Sequence, residues 1–219
     1  ALARGRVVAF TTDQMRVGPA WARTLHGAIE KGAAGAGGPI DLALDADAGT
    51  CAAYFVRFSA FTPEAWPAAT SARDLPGDNA AYDRSAVVRQ NDLLREGFWE
   101  VEFHRRFEGE RLYLEMIPAA LATLVGPVQF GALVAQRFRH AREFGATRVR
   151  RHGASRAKLL LLAPLVPLVL LQRMGRGAVA AKQNRGRFLT TLPRLGILAV
   201  VWAVGEAAGA LSANPGHGR

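Results

Sequence analysis

The sequence predicts an α/β domain followed by a basic helical tail, and three observations carry the prediction. A short apolar run from Val7 to Phe10 ends in a polar loop, as a strand of a buried sheet does. The segment after it has Trp21, Leu25 and Ile29 on one helical face. The third observation is that basic residues accumulate only in the last part of the chain.

Composition and charge separate the two parts. The chain has 219 residues, 50% of them hydrophobic, which excludes a disordered protein and allows one sizeable domain with a tail. We therefore divide it into an α/β domain, residues 1–126, and a basic helical tail, residues 127–219. The net charge is +10, but residues 137–194 hold fourteen Lys and Arg against one acid. A block of this kind needs an anionic partner or a solvated face. The lone Cys51 cannot form an internal disulfide, and a small buried residue is its simplest interpretation.

The elements of the domain follow in order. Pro19 suits the first turn of the helix and Gly32 its end. We expect a turn at residues 35–39, because three of the five residues are glycine and the last is proline. Weaker strand patterns follow at residues 40–44 and 54–58.

The second half of the domain repeats the alternation of helix and strand. Residues 77–79, Gly-Asp-Asn, predict a turn that leads to a short helix at residues 84–90. Aromatic residues recur every four positions at Trp99, Phe103 and Phe107, which is helical spacing. Residues 112–117 then predict a strand that ends at a proline.

The tail combines a polar helix with two apolar segments. We expect the helix over residues 128–144, closed by Gly145. Residues 159–171 are apolar but contain two prolines and fall short of the roughly 20 residues of a straight span, so they predict a re-entrant, interfacial or partial span. Residues 188–211 are long enough, although they contain Pro193, Arg194 and Glu206. Basic residues on both sides of the first segment favour the cytoplasmic leaflet as neighbour.

Candidate functional residues in the first half are Asp13, Asp78 and Asn79. Asp13 stands just beyond an apolar strand, where open α/β sheets place ligand-binding groups, and its carboxylate could hold Mg²⁺ or Mn²⁺ against a diphosphate. A loop aspartate that caps the next turn fits the same position. Asp78 and Asn79 fit tight-turn chemistry or a ligand pocket.

Glu100 and His104 are four residues apart and share a helical face. A glutamate beside an aromatic wall can have a raised pKa and act as a general base. A solvated pair of Glu with His or Arg is the alternative. In the tail, an arginine cluster that includes Arg137 and Arg139 suits phosphate groups of lipids, nucleotides or nucleic acid. Only Phe138 and Phe144 could stack on bases there, so we expect no nucleic-acid partner.

The order of these segments resembles family 2 glycosyltransferases, in particular bacterial, membrane-associated members. The resemblance covers about residues 4–211. Arg4–Asp13 looks like the family's metal-aspartate strand and loop, Pro19–Trp21 like the helix after it, and Gly35–Pro39 like the next turn. Leu75–Arg84 resembles the acceptor loop and Phe98–Phe107 the base helix, while Arg137–Arg148 and Trp202–Glu206 resemble the membrane-proximal tail. It implies a partial A-type glycosyltransferase fold, with a Rossmann-like mixed sheet and a helical membrane-associated tail.

The resemblance also implies an activity and its residues. It implies inverting, hexosyltransferase-like transfer of a sugar from a nucleotide-sugar donor to a lipid-linked or polysaccharide acceptor, at the cytoplasmic face of the inner membrane. Glu100 would be the catalytic base and Asp13 the ligand of Mg²⁺ or Mn²⁺ at the diphosphate. Asp78, Asn79, His104 and Arg137 would contact substrate.

Two features depart from the family pattern. Threonines stand before Asp13 where the family has a second acid, and Glu100 stands where an Asp is commoner. The early strand at Val7 also predicts a chain that begins within the fold, without the nucleotide-binding front, and is incomplete for activity. The alternative is a non-catalytic, membrane-associated remnant or scaffold. A nucleic-acid binder would instead show tight, salt-dependent binding through residues 137–194.

Overall fold

A computed structural model describes residues 4–95, 100–180 and 184–213 of the chain. It shows an α/β protein with mixed sheets in its first part and long helices towards its C-terminus. This confirms the predicted class. The finer assignment to the A-type glycosyltransferase fold stays a prediction.

The chain divides into two compact units. The first unit comprises Ala1–Ala46 and Ala60–Gly126, and the second comprises Asp47–Ser59 and Pro127–Arg219. The division after residue 126 falls where the sequence changes character. Residues 47–59, however, belong with the tail, although they lie within the range predicted as one domain.

The first unit alternates short strands with helices. Its strands are β1 (Val7–Thr11), β2 (Met15–Val17), β3 (Gly35–Gly37), β4 (Ile40–Leu42), β5 (Thr70–Ala72), β6 (Asn79–Asp83), β7 (Leu114–Met116) and β8 (Ala122–Leu124). Its helices are α1 (Trp21–Glu30), α3 (Arg84–Arg89), α4 (Asn91–Arg95) and α5 (Glu100–Gly109), with 3-10 turns at Pro63–Ala65 and Pro118–Ala120. The second unit contributes α2 (Ala48–Phe58) between β4 and β5.

Two sheets organise the first unit. The larger has the strand order β1-β6-β3-β7-β5, in which β3 and β7 are parallel and β6 runs antiparallel to both of its neighbours. The smaller has the order β2-β8-β4. The strands β1, β3 and β7 therefore point the same way. Their carboxyl ends lie at the same end of the larger sheet, which we call the carboxyl-end edge.

Alternating side chains of β6 place a core on each face of this sheet. Tyr82 packs in one cluster with Phe103 and Phe107 of α5, and all three are fully buried. Ala81 faces the other cluster, where Leu25 of α1 is buried. The predicted aromatic face of α5 is thus confirmed at Phe103 and Phe107, whereas Trp99 lies outside the described residues.

The turn predicted at Gly35–Pro39 is wrong, because Gly35–Gly37 form the buried central strand β3. Glycine is required there by packing. A Cβ on Gly35 would lie 2.7 Å from a ring carbon of Tyr82 and 2.8 Å from Leu114 Cδ2. The absence of side chains lets neighbouring large residues cross over the strand.

The strand predicted at residues 54–58 is also wrong. The segment is the second half of helix α2, which begins after Asp47, whose carboxylate accepts a hydrogen bond from the Thr50 amide at 2.7 Å. This cap and the helix-favouring alanines outweigh the strand preference of Tyr54 and Phe55. The strand predicted at residues 7–10 exists as part of β1, but β1 lies at a sheet edge and is only half-buried, rather than fully buried as expected.

The second unit is helical. Beside α2 it contains α6 (Phe130–Arg150), α7 (Arg156–Leu162), a 3-10 turn (Ala163–Leu165), α8 (Val166–Ala180) and α9 (Arg185–Ser212). The prediction that Gly145 ends α6 is wrong, because the helix continues to Arg150. Gly145 is buried, and a Cβ on it would overlap the backbone carbonyl of Glu206. It is a packing glycine rather than a cap.

Among the residues of the second unit that the structure describes, two helical segments are long and apolar enough to cross a membrane by length and composition alone. They are Arg156–Ala178, of 23 residues, and Arg185–Ser212, of 28 residues. The first is longer than the sequence predicted because the 3-10 turn takes up Pro164 without ending the helical path. Only 6% of its most apolar window is buried, against 44% for the second.

Candidate functional site

The carboxyl-end edge of the larger sheet gathers several of the predicted site residues. Thr11, the last residue of β1, pairs with Asn79, the first residue of β6. Asp13 follows two residues after Thr11, and Asp78 directly precedes Asn79. This register brings the two acidic turns to the same edge, where open α/β sheets bind ligands.

Asp13 lies in a tight turn between β1 and β2. The Met15 amide donates to the Thr12 carbonyl at 3.1 Å, which closes the turn and leaves the Asp13 side chain exposed. The Thr12 hydroxyl beside it is buried without a hydrogen-bond partner. The turn therefore presents a carboxylate to solvent and keeps an unsatisfied hydroxyl beneath it.

A protein cage for a metal ion is not present in the described part of the chain, where no three His, Cys, Asp or Glu residues cluster suitably. Magnesium usually retains waters and takes one or two protein carboxylates plus substrate phosphates. Asp13 fits such a role as a single ligand. The remaining ligands would have to come from substrate and water.

Asn79 is held entirely by the protein. Its Oδ1 accepts a hydrogen bond from Trp21 Nε1 at 2.6 Å. Its Nδ2 donates to the carbonyls of Gly38, Pro39 and Ala120 at 2.9, 3.0 and 2.9 Å. The residue is fully buried, so its amide supports the backbone of the carboxyl-end edge from inside the protein.

Glu100 begins α5 and is half-buried against the turn that carries Asp78. Its carboxylate occupies the space that a side chain on Gly77 would take, since a Cβ there would lie 2.8 Å from Glu100 Oε1. The absence of a side chain at Gly77 is therefore what lets the carboxylate reach the turn. The resemblance implies that these two segments belong to one site, and the structure brings them into contact.

His104 lies one helical turn after Glu100 and is buried. Its Nε2 is 2.9 Å from the Tyr82 hydroxyl, and its Nδ1 is 2.9 Å from Asp74 Oδ1. Both ring nitrogens thus have protein partners. Burial, followed by the negative charges of Glu100 and Asp74, raises the pKa of Tyr82 well above its usual range, so its hydroxyl keeps its proton.

Asp74, Gly77 and Tyr82 are site residues that the sequence reasoning missed. Tyr82 carried no strand signal, because the run Ala80-Ala81-Tyr82 does not alternate polar with apolar residues. Asp74 carried none, since it lies in an irregular loop and meets His104 only through the fold.

Arg137 belongs to α6 of the second unit. Its guanidinium carbon stacks 3.9 Å from the centre of the Trp202 ring, while its Nε is buried without a hydrogen-bond partner. Burial and then the neighbouring charge of Arg57 lower the pKa of Arg137 to about 10. Even so, the side chain stays charged at neutral pH.

Two groups of predicted site residues therefore occur in separate units. The first unit holds Asp13, Asp78, Asn79, Glu100 and His104, and the second holds Arg137. In comparisons with known proteins, the sequence matches no protein-family model and no curated protein sequence.

Proposed function

We propose that the protein is an inverting glycosyltransferase that moves a sugar from a nucleotide-sugar donor to a lipid-linked or polysaccharide acceptor. The observation that carries the proposal is the position of the Glu100 carboxylate. It rests against Gly77, in the turn that carries Asp78, at the edge where β1 delivers Asp13. A half-buried carboxylate at the edge where open α/β sheets commonly bind ligands is suited to take a proton from an acceptor.

The chemistry is a single displacement. Glu100 takes the proton of an acceptor hydroxyl as that oxygen bonds to the anomeric carbon of the donor sugar. The bond from this carbon to the phosphate oxygen breaks, and the nucleoside diphosphate leaves with the electron pair. Attack from the side opposite the leaving group inverts the anomeric centre.

The leaving diphosphate needs charge neutralisation. A divalent ion, Mg²⁺ or Mn²⁺, would supply this charge neutralisation, and Asp13 is the residue that would hold it. Asp13 offers one exposed carboxylate at the correct edge of the sheet. Asp78, half-buried in the facing turn, would contact donor or acceptor hydroxyls.

Asn79 and His104 act in this proposal as positioning residues. Asn79 fixes the backbone at the edge through its bonds to Trp21 and three carbonyls. His104 ties α5 to the Asp74 loop and to β6, the segments that surround Glu100. The resemblance implies substrate contact for both residues, and their burial favours a supporting role instead.

The test replaces the proposed base in the full gene product. Glu100→Gln keeps the shape of the side chain and removes its basicity, so we expect turnover to fall by about 10²–10⁴-fold while donor binding persists. Glu102→Gln is the matched control on the same helix, because Glu102 lies 2.7 Å from Arg105 in an ion pair. Turnover and calorimetric donor binding are measured for both variants.

Unchanged turnover in Glu100→Gln, or an equal loss in Glu102→Gln, would contradict the assignment of the base. A full gene product that neither binds a nucleotide-sugar nor transfers one would favour a non-catalytic, membrane-associated scaffold. We place the reaction at the cytoplasmic face of the inner membrane, which the apolar helices and the basic residues around them support.

A further inference from the structure

The second unit contains an unusually close pair of helices, α6 and α9. A Cβ on Gly205 would lie 2.8 Å from the Phe138 carbonyl oxygen, and one on Gly209 would overlap the carbonyl of Arg142. On the other helix, Gly145 touches the backbone at Glu206 in the same way. The two backbones are therefore in direct contact through glycines from both sides.

The two helices run parallel and in register. Arg194 on α9 lies over the Phe130 ring at the start of α6, with 5.9 Å between its guanidinium carbon and the ring centre. Fifteen residues later on α9, a Cβ on Gly209 would lie 3.0 Å from the amide nitrogen of Ala146. The second half of α9 thus has α6 alongside it throughout.

This pairing limits how deeply α9 can enter a membrane. Helix α6 also exposes charged side chains along its length, namely Arg139, Arg142, Glu143 and Arg150. A charged side chain at the centre of a bilayer costs about 2.5–3.5 kcal/mol on insertion scales. If α9 stood upright in the bilayer, α6 would carry several such charges with it.

The exposed face of α9 is nevertheless apolar. Ile197, Val200 and Val204 are 49%, 52% and 55% exposed and are spaced three and four residues apart, so they form one stripe. Leu189 and Leu211 extend it towards both ends of the helix. We call these five residues the α9 stripe.

A second apolar surface lies on the helical segment 156–178. Leu161, Leu165 and Leu168 are 79%, 52% and 65% exposed at helical spacing. Arg173 and Arg176 are exposed on the last turns of the same segment. Exposed apolar stripes bordered by arginines match the boundary between acyl chains and anionic headgroups.

We propose that the second unit binds one leaflet of an anionic bilayer in the plane of its surface, and that α9 does not cross the membrane. The α9 stripe and the leucines of segment 156–178 enter the acyl boundary. The exposed arginines remain at the level of the phosphate groups. The inference concerns the mode of membrane binding and is independent of sugar transfer.

Depth measurement tests the orientation. In a Cys51→Ala background, single cysteines replace Leu189, Val200 and Leu211 on the stripe, and Arg139 on α6 as a control. Each is labelled with a fluorophore, and the chain is bound to vesicles of phosphatidylglycerol and phosphatidylcholine. Nitroxide groups at a shallow or a deep acyl position act as quenchers, and iodide acts in the aqueous phase.

In-plane binding predicts that the shallow nitroxide quenches the three stripe positions best and to a similar extent, while iodide quenches the Arg139 position. A crossing helix predicts that the deep nitroxide quenches Val200 best and that Leu189 and Leu211 lie near opposite surfaces. The second pattern would overturn the proposal. So would the absence of vesicle binding, which would leave the stripe as a face for a protein partner.

Charge placed on the stripe supplies an independent test. The double variant Val200→Glu/Val204→Glu changes exposed residues, so helix content by circular dichroism should persist, and we expect vesicle partition to fall by about 10–100-fold. Ala132→Glu/Ala135→Glu adds the same charge at exposed positions of α6, and vesicle partition of this variant should fall much less. Equal losses in the two variants, or equal binding to neutral and anionic vesicles, would contradict the proposed surface.

Discussion

Asn79 joins four segments of the first unit through one side chain. It receives a hydrogen bond from Trp21 at the start of α1, and it donates to the chain after β3 and to the 3-10 turn before β8. The three carbonyl groups lie where the strands end and the turns begin. At the scale of single residues, the candidate site therefore depends on a buried amide as much as on its exposed carboxylates.

Asn79→Asp should destabilise the first unit strongly. The substitution keeps an acceptor for Trp21 but turns a negative charge towards the carbonyls of Gly38, Pro39 and Ala120. Losing a buried donor typically costs about 1–3 kcal/mol, and more where a charge is buried. We expect the free energy of unfolding, measured in urea, to fall by about 3 kcal/mol or more.

Asn91→Asp provides the comparison for this change. Asn91 is exposed at the start of α4, so its substitution should alter the free energy of unfolding by no more than about 0.5 kcal/mol. If both variants unfolded at the same urea concentration, the hydrogen bonds of Asn79 would not contribute as described.

The residue types of the site could be predicted from the sequence, and most of their partners could not. Asp13 was recognisable because it follows an apolar strand, and Glu100 because it opens an aromatic helix. The contact of His104 with Asp74 joins residues 30 positions apart through an irregular loop, so no periodic pattern marks it. Whether Glu100 acts as a base remains a prediction.

Asp83 shows how a turn residue can order an entire element. It ends β6 and caps α3, with its carboxylate 2.5 Å from the Ser85 hydroxyl and 2.8 Å from the Ser85 amide. The Ser85 hydroxyl and then the amides of Ala86 and Ser85 hold the pKa of Asp83 below its usual range. The cap thus favours the ionised carboxylate.

Asp83→Ala should cost about 0.5–2 kcal/mol at pH 7, the usual range for a lost helix cap. Because the folded pKa is lower than the unfolded value of about 3.9, this stabilisation is complete above pH 4–5 or so and is lost as pH falls through the folded pKa. Thermal unfolding at pH 7 and near pH 2 should show the difference from wild type shrinking. A constant difference would contradict an electrostatic cap, and exposed Asp45→Ala serves as control.

Glycine illustrates why elements were harder to predict than composition suggested. In β3 and in α6 the local sequence predicts a turn and a helix end, because these are the commonest roles of glycine. In the structure, Gly35 and Gly145 instead allow close approach of a ring and of a backbone carbonyl. Such approaches are set by tertiary packing, which local sequence does not encode, whereas the apolar spacing of α1 and the aromatic spacing of α5 predicted those two helices correctly.

Two glycines of α9 offer a matched test of close packing. Gly209→Ala places a methyl group on the Arg142 carbonyl, so we expect overpacking to cost about 1–3 kcal/mol. Gly196→Ala meets nothing within 4 Å in the same helix and should be neutral or stabilising by up to about 1 kcal/mol. The melting temperatures of both variants test this difference, and similar values would argue against the α6–α9 contact.

At the scale of the whole molecule, charge and apolarity act together. The basic excess belongs to the same unit as the exposed apolar stripes, so an anionic membrane satisfies both, whereas duplex DNA satisfies only the charge. Screening by salt weakens the electrostatic part and leaves apolar burial in place.

Raising salt from about 0.1 M to 0.5 M should therefore remove DNA binding and retain a substantial fraction of vesicle binding. DNA affinity falls linearly with the logarithm of salt concentration because counterions are released on binding. Fluorescence anisotropy with a short duplex and flotation with anionic vesicles measure the two responses. Salt-resistant DNA binding would contradict the exclusion of nucleic acid as a partner.

Helix α2 has a consequence for how the protein can be made. It is encoded between β4 and β5, yet its buried residues, Cys51, Tyr54, Phe55 and Phe58 among them, pack with helices encoded more than 70 residues later. During synthesis this aromatic surface leaves the ribosome well before its partners exist. If the gene were cut at residue 126, α2 would remain with the first part and permanently lack its packing partners. The two parts on either side of residue 126 therefore cannot be exchanged as independent modules. Any chimera that grafts the tail onto another protein has to carry residues 47–59 with it.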